Sequence, residues 1–247
     1  MDALIWALGA TGIVSLASVL GIVTLALKGK LLKKILLLMV AFSAGALMGG
    51  AFLHLIPEAA EGAEGLSVFL YVIMGFSLFF IIERVLHWRH CHEGKCDVHT
   101  FTYMNLIGDS IHNFIDGLVI AASFVASVPL GISTTFAILA HEIPQEVGDF
   151  GVLIYGGFTK AKALLFNFLT ALTAILGAFI GYFLADISGQ FTVLLIPFAA
   201  GGFIYIAASD LVPELHKEAN IHRSLFSFLF FIMGIAFMYS IKVIFGG

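Results

Sequence analysis

Two short polar strings interrupt an otherwise apolar chain: His112-Asn113-Phe114-Ile115-Asp116-Gly117 and His141-Glu142-Ile143-Pro144-Gln145-Glu146. Each lies near the middle of an apolar stretch long enough to span a bilayer, where ionisable side chains are costly and usually line a functional pathway. Together they supply imidazole, carboxylate and amide groups. Neutral imidazole nitrogen and carboxylate oxygen suit zinc and neighbouring first-row metals. On a helix His112 and Asp116 are four apart and share a face, with Asn113 beside them and Asp109 continuing the face. His141 and Gln145 are likewise four apart, as are Glu142 and Glu146, and Asp149 continues that second face. At about 1.5 Å of rise per residue both strings reach a similar depth, so an antiparallel pair would close one metal site between them. Pro144 removes a backbone hydrogen bond and clashes one turn back, near Ala140. Gly117 and Gly148 are expected to allow close packing around the site. Interhelical hydrogen bonding would account for one buried His or Asn. It does not account for six or more ionisable groups at matched depth, because unpaired burial is so expensive. The chemistry implied is transport of a divalent transition metal across a membrane.

The elements that hold these strings are spanning helices. The chain has 247 residues, 60% of them hydrophobic and 11% charged, with a mean hydropathy of +1.06. Soluble domains carry about 25% charged residues, so this is an all-α integral membrane protein. The net charge of -4 is too unevenly placed to inform, and no basic surface for nucleic acid exists. Cys91 and Cys96 share one short polar loop and do not suggest an oxidised framework. The first apolar segment is too long for a signal-peptide core and lacks a basic n-region, so it reads as a retained helix.

At roughly 20 apolar residues per span, eight transmembrane segments are expected, at about 4–27, 31–55, 66–88, 103–127, 131–156, 162–185, 191–211 and 224–245. Val128-Pro129-Leu130-Gly131 alone separates the fourth from the fifth, which makes them an antiparallel hairpin. Lys28, Lys30, Lys33 and Lys34, then Arg84, Arg89 and Lys95, then Lys160 and Lys162, then Lys217 and Arg223 fall in alternate loops. That is eleven of the twelve Lys and Arg, with Lys242 the exception. The bias puts those loops in the cytoplasm and both termini outside. The compact chain without an extracellular domain points to a prokaryotic plasma (inner) membrane.

The run Ala44–Glu58 aligns without a gap with Ala200–Glu214, matching Ala44/Ala200, Gly45/Gly201, Ala51/Ala207, Leu55/Leu211, Pro57/Pro213 and Glu58/Glu214. These runs sit in the second and seventh segments, which cross in opposite directions. An inverted repeat is therefore expected, segments one to three mirrored by six to eight around a central hairpin of four and five. Inverted repeats mark alternating-access carriers with the substrate site near the repeat interface.

The strings HNFIDG and HEIPQEVGD resemble the signatures of the ZIP (Zrt/Irt-like) metal transporters, in particular the subfamily whose fifth helix carries a HExPHExGD-type motif. The resemblance extends over the whole chain. It implies a two-metal site between the fourth and fifth helices. One metal would use His112, Asp116, His141 and Gln145, and its neighbour Asn113, Asp116, Glu142 and Gln145. It also implies uptake into the cytoplasm, a homodimer, and an elevator-like movement of one helix bundle against another. Gln145 departs from the pattern, standing where that subfamily has His and many other relatives have Glu. An amide ligates more weakly and carries no charge, which favours one tightly held metal over two. The cargo expected is Zn2+, with iron, manganese, cadmium or cobalt as other divalent candidates. No organic cofactor is expected.

Several outlying residues extend the picture. The loop 87–102 offers His90, Cys91, His92, Cys96 and His99, a thiol-imidazole set for transient metal, or a soluble linker with incidental histidines. It lacks the fixed spacing of a structural zinc site. His54 and Glu58 could collect ions at the outer end of segment two. Asp210, Glu214 and His216 could serve release at the cytoplasmic end. Asp109, Glu146 and Asp149 extend the central pathway. Asn167, Thr170 and Thr173 form a polar stripe on segment six that reads as packing hydroxyls before ligands. The competing reading is a membrane-embedded zinc hydrolase. His141-Glu142-Ile143-Pro144-Gln145 falls one residue short of HExxH, whose second His is a ligand and whose Glu is the general base. Gln145 and Pro144 count against it, and no nucleophile motif is present.

Overall fold

Leu-, Ile- and Phe-rich runs can satisfy their backbone only internally once water is gone, which in lipid leaves helices or closed barrels. A computed structural model describes residues 2–20, 29–62, 66–88, 98–187 and 189–245, and these residues form helices with no strand among them. They are α1 (Asp2–Ala17), α2 (Gly29–Gly49), α3 (Ile56–Gly62), α4 (Leu66–Trp88), α5 (Val98–Ala126) and α6 (Val128–Tyr155). The second half holds α7 (Lys160–Ala171), α8 (Thr173–Ile187), α9 (Gly189–Tyr205), α10 (Val212–His216) and α11 (Ile221–Phe245). Among the described residues six stretches are long and apolar enough to cross a membrane: Asp2–Leu20, Lys34–Glu61, Leu66–Val85, Lys160–Ala185, Val193–His216 and Ile221–Phe245. They overlap the expected segments one to three and six to eight. Segments four and five are α5 and α6, helices of 29 and 28 residues that carry the polar strings.

The helix ends differ from the sequence expectation in three places. The hairpin connection is shorter than Val128–Gly131, because α6 restarts at Val128. Ser127 caps it by accepting from the Leu130 N–H at 3.3 Å, and Pro129 sits in the first turn, where a missing donor costs nothing. Segment six is broken at Leu172 into α7 and α8. There the Thr170 and Thr173 hydroxyls donate to the carbonyls of Asn167 and Thr170 at 2.8 and 2.6 Å, which competes with helical pairing. The polar loop expected over 87–102 is trimmed at both ends, since α4 reaches Trp88 and α5 begins at Val98.

Segments two and seven each contain a π-helical turn, Gly50–Leu55 and Ile206–Leu211. In both, the following residue reaches back five positions, Ile56 N–H to the Ala51 carbonyl and Val212 N–H to the Ala207 carbonyl. Pro57 and Pro213 come next in each case. A proline donates nothing and its ring crowds the carbonyl four residues back, and widening the turn by one residue relieves that crowding.

Two groups of helices result. α5 packs on α8, and α1 lies against α5, α6 and α8; α2 packs on α11, and α4 on α9. The second group closes through glycines. A Cβ at Gly45 would overlap the Phe231 carbonyl oxygen, and one at Gly201 the Val72 carbonyl oxygen. Such small-residue crossings let membrane helices approach closely. Between the groups, α2 and α9 meet α6 and α5. There the Ser43 hydroxyl donates to the Ala140 carbonyl, the acceptor that Pro144 leaves without its helical donor. Ser43→Ala removes that donor. We expect a loss of about 1 kcal/mol, read as a fall in melting temperature of about 2–4 °C.

Candidate metal site between α5 and α6

At 3.6 residues per turn, Asn105, Asp109, His112, Asn113 and Asp116 form one stripe on α5, and His141, Glu142, Gln145 and Asp149 form another on α6. The antiparallel hairpin sets the stripes face to face. Four donors then converge. His112, Asp116, His141 and Glu142 each offer one ligand atom, all within 4.8 Å of one another. The His112 Nε2 is 3.1 Å from the His141 Nε2, 3.2 Å from the Glu142 Oε1 and 3.7 Å from the Asp116 Oδ2. The His141 Nε2 lies 3.2 Å from the Asp116 Oδ2 and 3.5 Å from the Glu142 Oε1. Ligands at about 2.0–2.1 Å around a tetrahedral zinc stand about 3.3–3.4 Å from each other, and these separations bracket that edge.

The hydrogen-bond geometry also favours a cation. The His141 Nδ1 is 3.2 Å from the Ala137 carbonyl, which can only accept, so Nδ1 donates there and Nε2 is the nitrogen turned to the cluster. A hydrogen bond of this kind orients a ligating imidazole. Asp116, His141 and Glu142 are all buried. The Asp116 Oδ2 and the Glu142 Oε1 face only the two imidazoles, and the Glu142 Oε2 has no hydrogen-bond partner. Buried carboxylate oxygens without donors are expensive, and a divalent ion between these four groups would neutralise them.

Gln145 and Asn113 carry amides and stand beside these imidazole and carboxylate donors in sequence. Their amide nitrogens turn to Asp109: the Asn113 Nδ2 donates to the Asp109 Oδ1 at 2.9 Å, and the Gln145 Nε2 lies 3.4 Å from the same atom. Glu146 faces α7, where the Asn167 Nδ2 donates to its Oε2 at 2.6 Å. Asn167 is fully buried and thus does more than the packing expected of its stripe, whereas Thr173 only bonds the Ser110 and Thr170 carbonyls. Asp149 accepts from the Asn105 Nδ2 at 3.0 Å. Gly117 does pack closely, since a Cβ there would overlap the Ala174 carbonyl oxygen of α8. Gly148 does not: it is exposed, with nothing within 4 Å of the place a methyl group would take.

A cavity of about 160 Å³ reaches His112 and Gln145 from α4 and the α9 side, and it is bounded by Glu83, Tyr205 and Asp210. The Tyr205 hydroxyl donates to the Glu83 carboxylate. Asp210 therefore shares a cavity with the cluster, while Glu214 is exposed and paired with Lys217 and His216 is exposed. His54 is buried, its Nε2 2.9 Å from the Met238 carbonyl, so that nitrogen carries the proton and holds α11. Glu58 stands half-buried on α3 and is not one of the four converging donors. His90, Cys91, His92 and Cys96 lie outside the described residues, and His99 falls in the first turn of α5. Asn105, Glu83 and Tyr205 do not stand out in the sequence. Asn105 had a signal, four residues before Asp109 on the same stripe, whereas Glu83 precedes Arg84 and reads as a helix-end charge.

The family model for the ZIP zinc transporters matches residues 1–100 and 89–242. The chain is 32% identical over 278 residues to the zinc transporter zipt-7.1 of Caenorhabditis briggsae, covering 84% of this chain and 71% of that protein. It is 38% identical over 215 residues to the zinc transporter ZIP13 of Pongo abelii, covering 81% and 65%. To the zinc transporter YKE4 of Saccharomyces cerevisiae it is 33% identical over 214 residues, covering 74% and 62%. The chain thus spans between three fifths and three quarters of the length of these relatives.

Proposed function

Because this chain belongs to the ZIP zinc transporter family, we propose that it moves a divalent transition metal, zinc foremost, through a membrane by way of the α5–α6 cluster. The observation that carries this reading is the spacing of two imidazole nitrogens and two carboxylate oxygens within 4.8 Å of one another at the centre of the fold. His112, Asp116, His141 and Glu142 hold the ion. Asn113 and Gln145 add amide oxygens beside it, where a second ion would bind more weakly. The cavity bounded by Glu83 and Asp210 is the route that water and metal take to or from His112.

Alternating access has two supports. The π-helical turns fall at matching positions of the two repeat runs, Gly50 facing Ile206 and Leu55 facing Leu211 in the alignment. The crossings match as well: Gly45 meets α11 as its mate Gly201 meets α4, and Gly234 and Gly75 meet the carbonyls of the mates Phe42 and Phe198. An inverted repeat of this kind builds two similar halves that rock about one site. The cluster's donors all lie on α5 and α6, so the helix group they belong to can carry the ion past the group of α2, α4, α9 and α11. With basic loops in the cytoplasm and termini outside, transport runs inward.

The family is one of transporters and not of enzymes, and Glu142 sits among the donors rather than free as a general base. Zinc entry into proteoliposomes tests the reading: we expect saturable flux with no hydrolysis by the solubilised protein. Flux proportional to concentration would make it a channel, and hydrolysis without flux would make it an enzyme. Gln145→His exchanges an amide for an imidazole, which suits zinc better. We expect it to tighten zinc binding on the order of tenfold, by titration calorimetry, with slower release and a lower maximal flux.

A further inference from the structure

Asp109 is buried, and one of its oxygens gathers both amides of the site. The Asn113 Nδ2 donates to the Asp109 Oδ1 at 2.9 Å and to the Asp109 backbone carbonyl at 3.2 Å. From the facing helix the Gln145 Nε2 lies 3.4 Å from the same Oδ1. A primary amide has two ends of similar shape and opposite use, since its oxygen accepts a cation and its NH2 repels one. A carboxylate oxygen takes only the NH2 end. Both amides are thereby turned with their carbonyls away from Asp109. The Asn113 Oδ1, fully buried, is left without a hydrogen-bond partner, as is the Glu142 Oε2. A buried amide oxygen with no protein donor is open to a cation or a water, and here it sits one residue from a metal-ligand candidate, His112. Asp109 itself is not among the four converging donors.

We propose that Asp109 is a positioning residue: without binding the metal, it fixes Asn113 and Gln145 as oxygen donors towards the divalent cation held between α5 and α6. The inference rests on the transport reading of that site. It gives Gln145 a defined role, because an amide clamped by its nitrogen end offers oxygen at no orientational cost.

Zinc binding to the full-length protein in detergent, by titration calorimetry, tests it. Asp109→Leu removes the acceptor and is expected to weaken zinc about 10- to 100-fold, as loss of an outer partner does. Asp109→Asn keeps a carbonyl acceptor and is expected to lose no more than about threefold. In an Asn113→Ala/Gln145→Ala background Asp109→Leu should have no further effect, because the cycle then has nothing left to couple. Equal losses in Asp109→Leu and Asp109→Asn would make the charge itself a ligand and overturn the proposal, as would an undiminished effect in the amide-free background. Isotope-edited infrared spectra of the wild type, with labelled Asn and Gln side chains, need no folded variant. Zinc should shift the amide carbonyl band, and no shift overturns the proposal. Glu142→Gln separates the two levels: if it retains wild-type zinc affinity the site reading fails, and if it loses zinc while the Asp109 results fail, only the positioning role falls.

Discussion

Glu142→Gln is expected to lower zinc affinity at least a hundredfold while leaving the metal-free protein as stable as wild type or more so. The two effects share one cause. Glu142 is fully buried, and the two imidazoles are the only polar partners its carboxylate meets, the Oε2 having none. Its Oε1 faces the His112 and His141 Nε2 atoms at 3.2 and 3.5 Å. Without metal, that carboxylate is a burden the fold carries; a neutral amide of the same shape costs less to bury. With metal, the carboxylate completes the charge balance, and its removal exceeds the roughly 10- to 100-fold typical of outer partners. Thermal melts separate these effects. Ligand at about 100 times its dissociation constant adds about 2.7 kcal/mol to the wild type, so zinc should raise the wild-type melting temperature and leave that of Glu142→Gln unmoved. A variant melting below wild type without metal would show Glu142 to be a structural partner instead.

Gly117→Ala carries the second large effect. Gly117 stands next to Asp116 and presses on α8, where a Cβ would overlap the Ala174 carbonyl oxygen and lie 2.8 Å from the Ala178 backbone nitrogen. Gly177 makes the reciprocal approach to the Phe114 carbonyl. Backbone cannot step aside as a side chain does, so α5 must shift as a whole. We expect a loss of about 1–3 kcal/mol and, because a ligand constellation tolerates only about 0.5 Å of displacement, strongly impaired zinc binding through Asp116. Gly148→Ala is the matched control on α6. It has open space around it, so the better helix former should add about 1 kcal/mol and leave zinc affinity unchanged. Equal behaviour of the two variants would mean that the α5–α8 approach does not set the site.

The polar strings were legible because a helix maps spacing onto faces. His112 with Asp116, and His141 with Gln145, could be placed on shared faces from residue numbers alone, whereas the partnership of Glu142 with His141 emerges only from the packing of the two helices. The shared Leu-x-Pro-Glu endings of segments two and seven were legible for a similar reason: they recur at a fixed offset, and their prolines follow the two π-helical turns. What stayed hidden depends on contacts distant in sequence. Nothing local says that Ser43 supplies the donor missing at Ala140, or that Tyr205 reaches Glu83 from another helix. The roles of the amides were hidden in the same way. Gln145 has the spacing of a ligand, but its amide nitrogen lies against Asp109, 36 residues earlier in the chain. Gly117 and Gly148 look alike in sequence, and only the position of α8 separates a helix crossing from an open surface.

The most direct test of the α5–α6 site as the transport route is zinc entry into proteoliposomes containing wild type, His112→Ala or Asp116→Ala, each shown to be folded by its elution as a single species and its helical content. We predict saturable entry in the wild type and its loss in both variants. Undiminished entry in either variant would contradict this route and place the pathway elsewhere in the bundle.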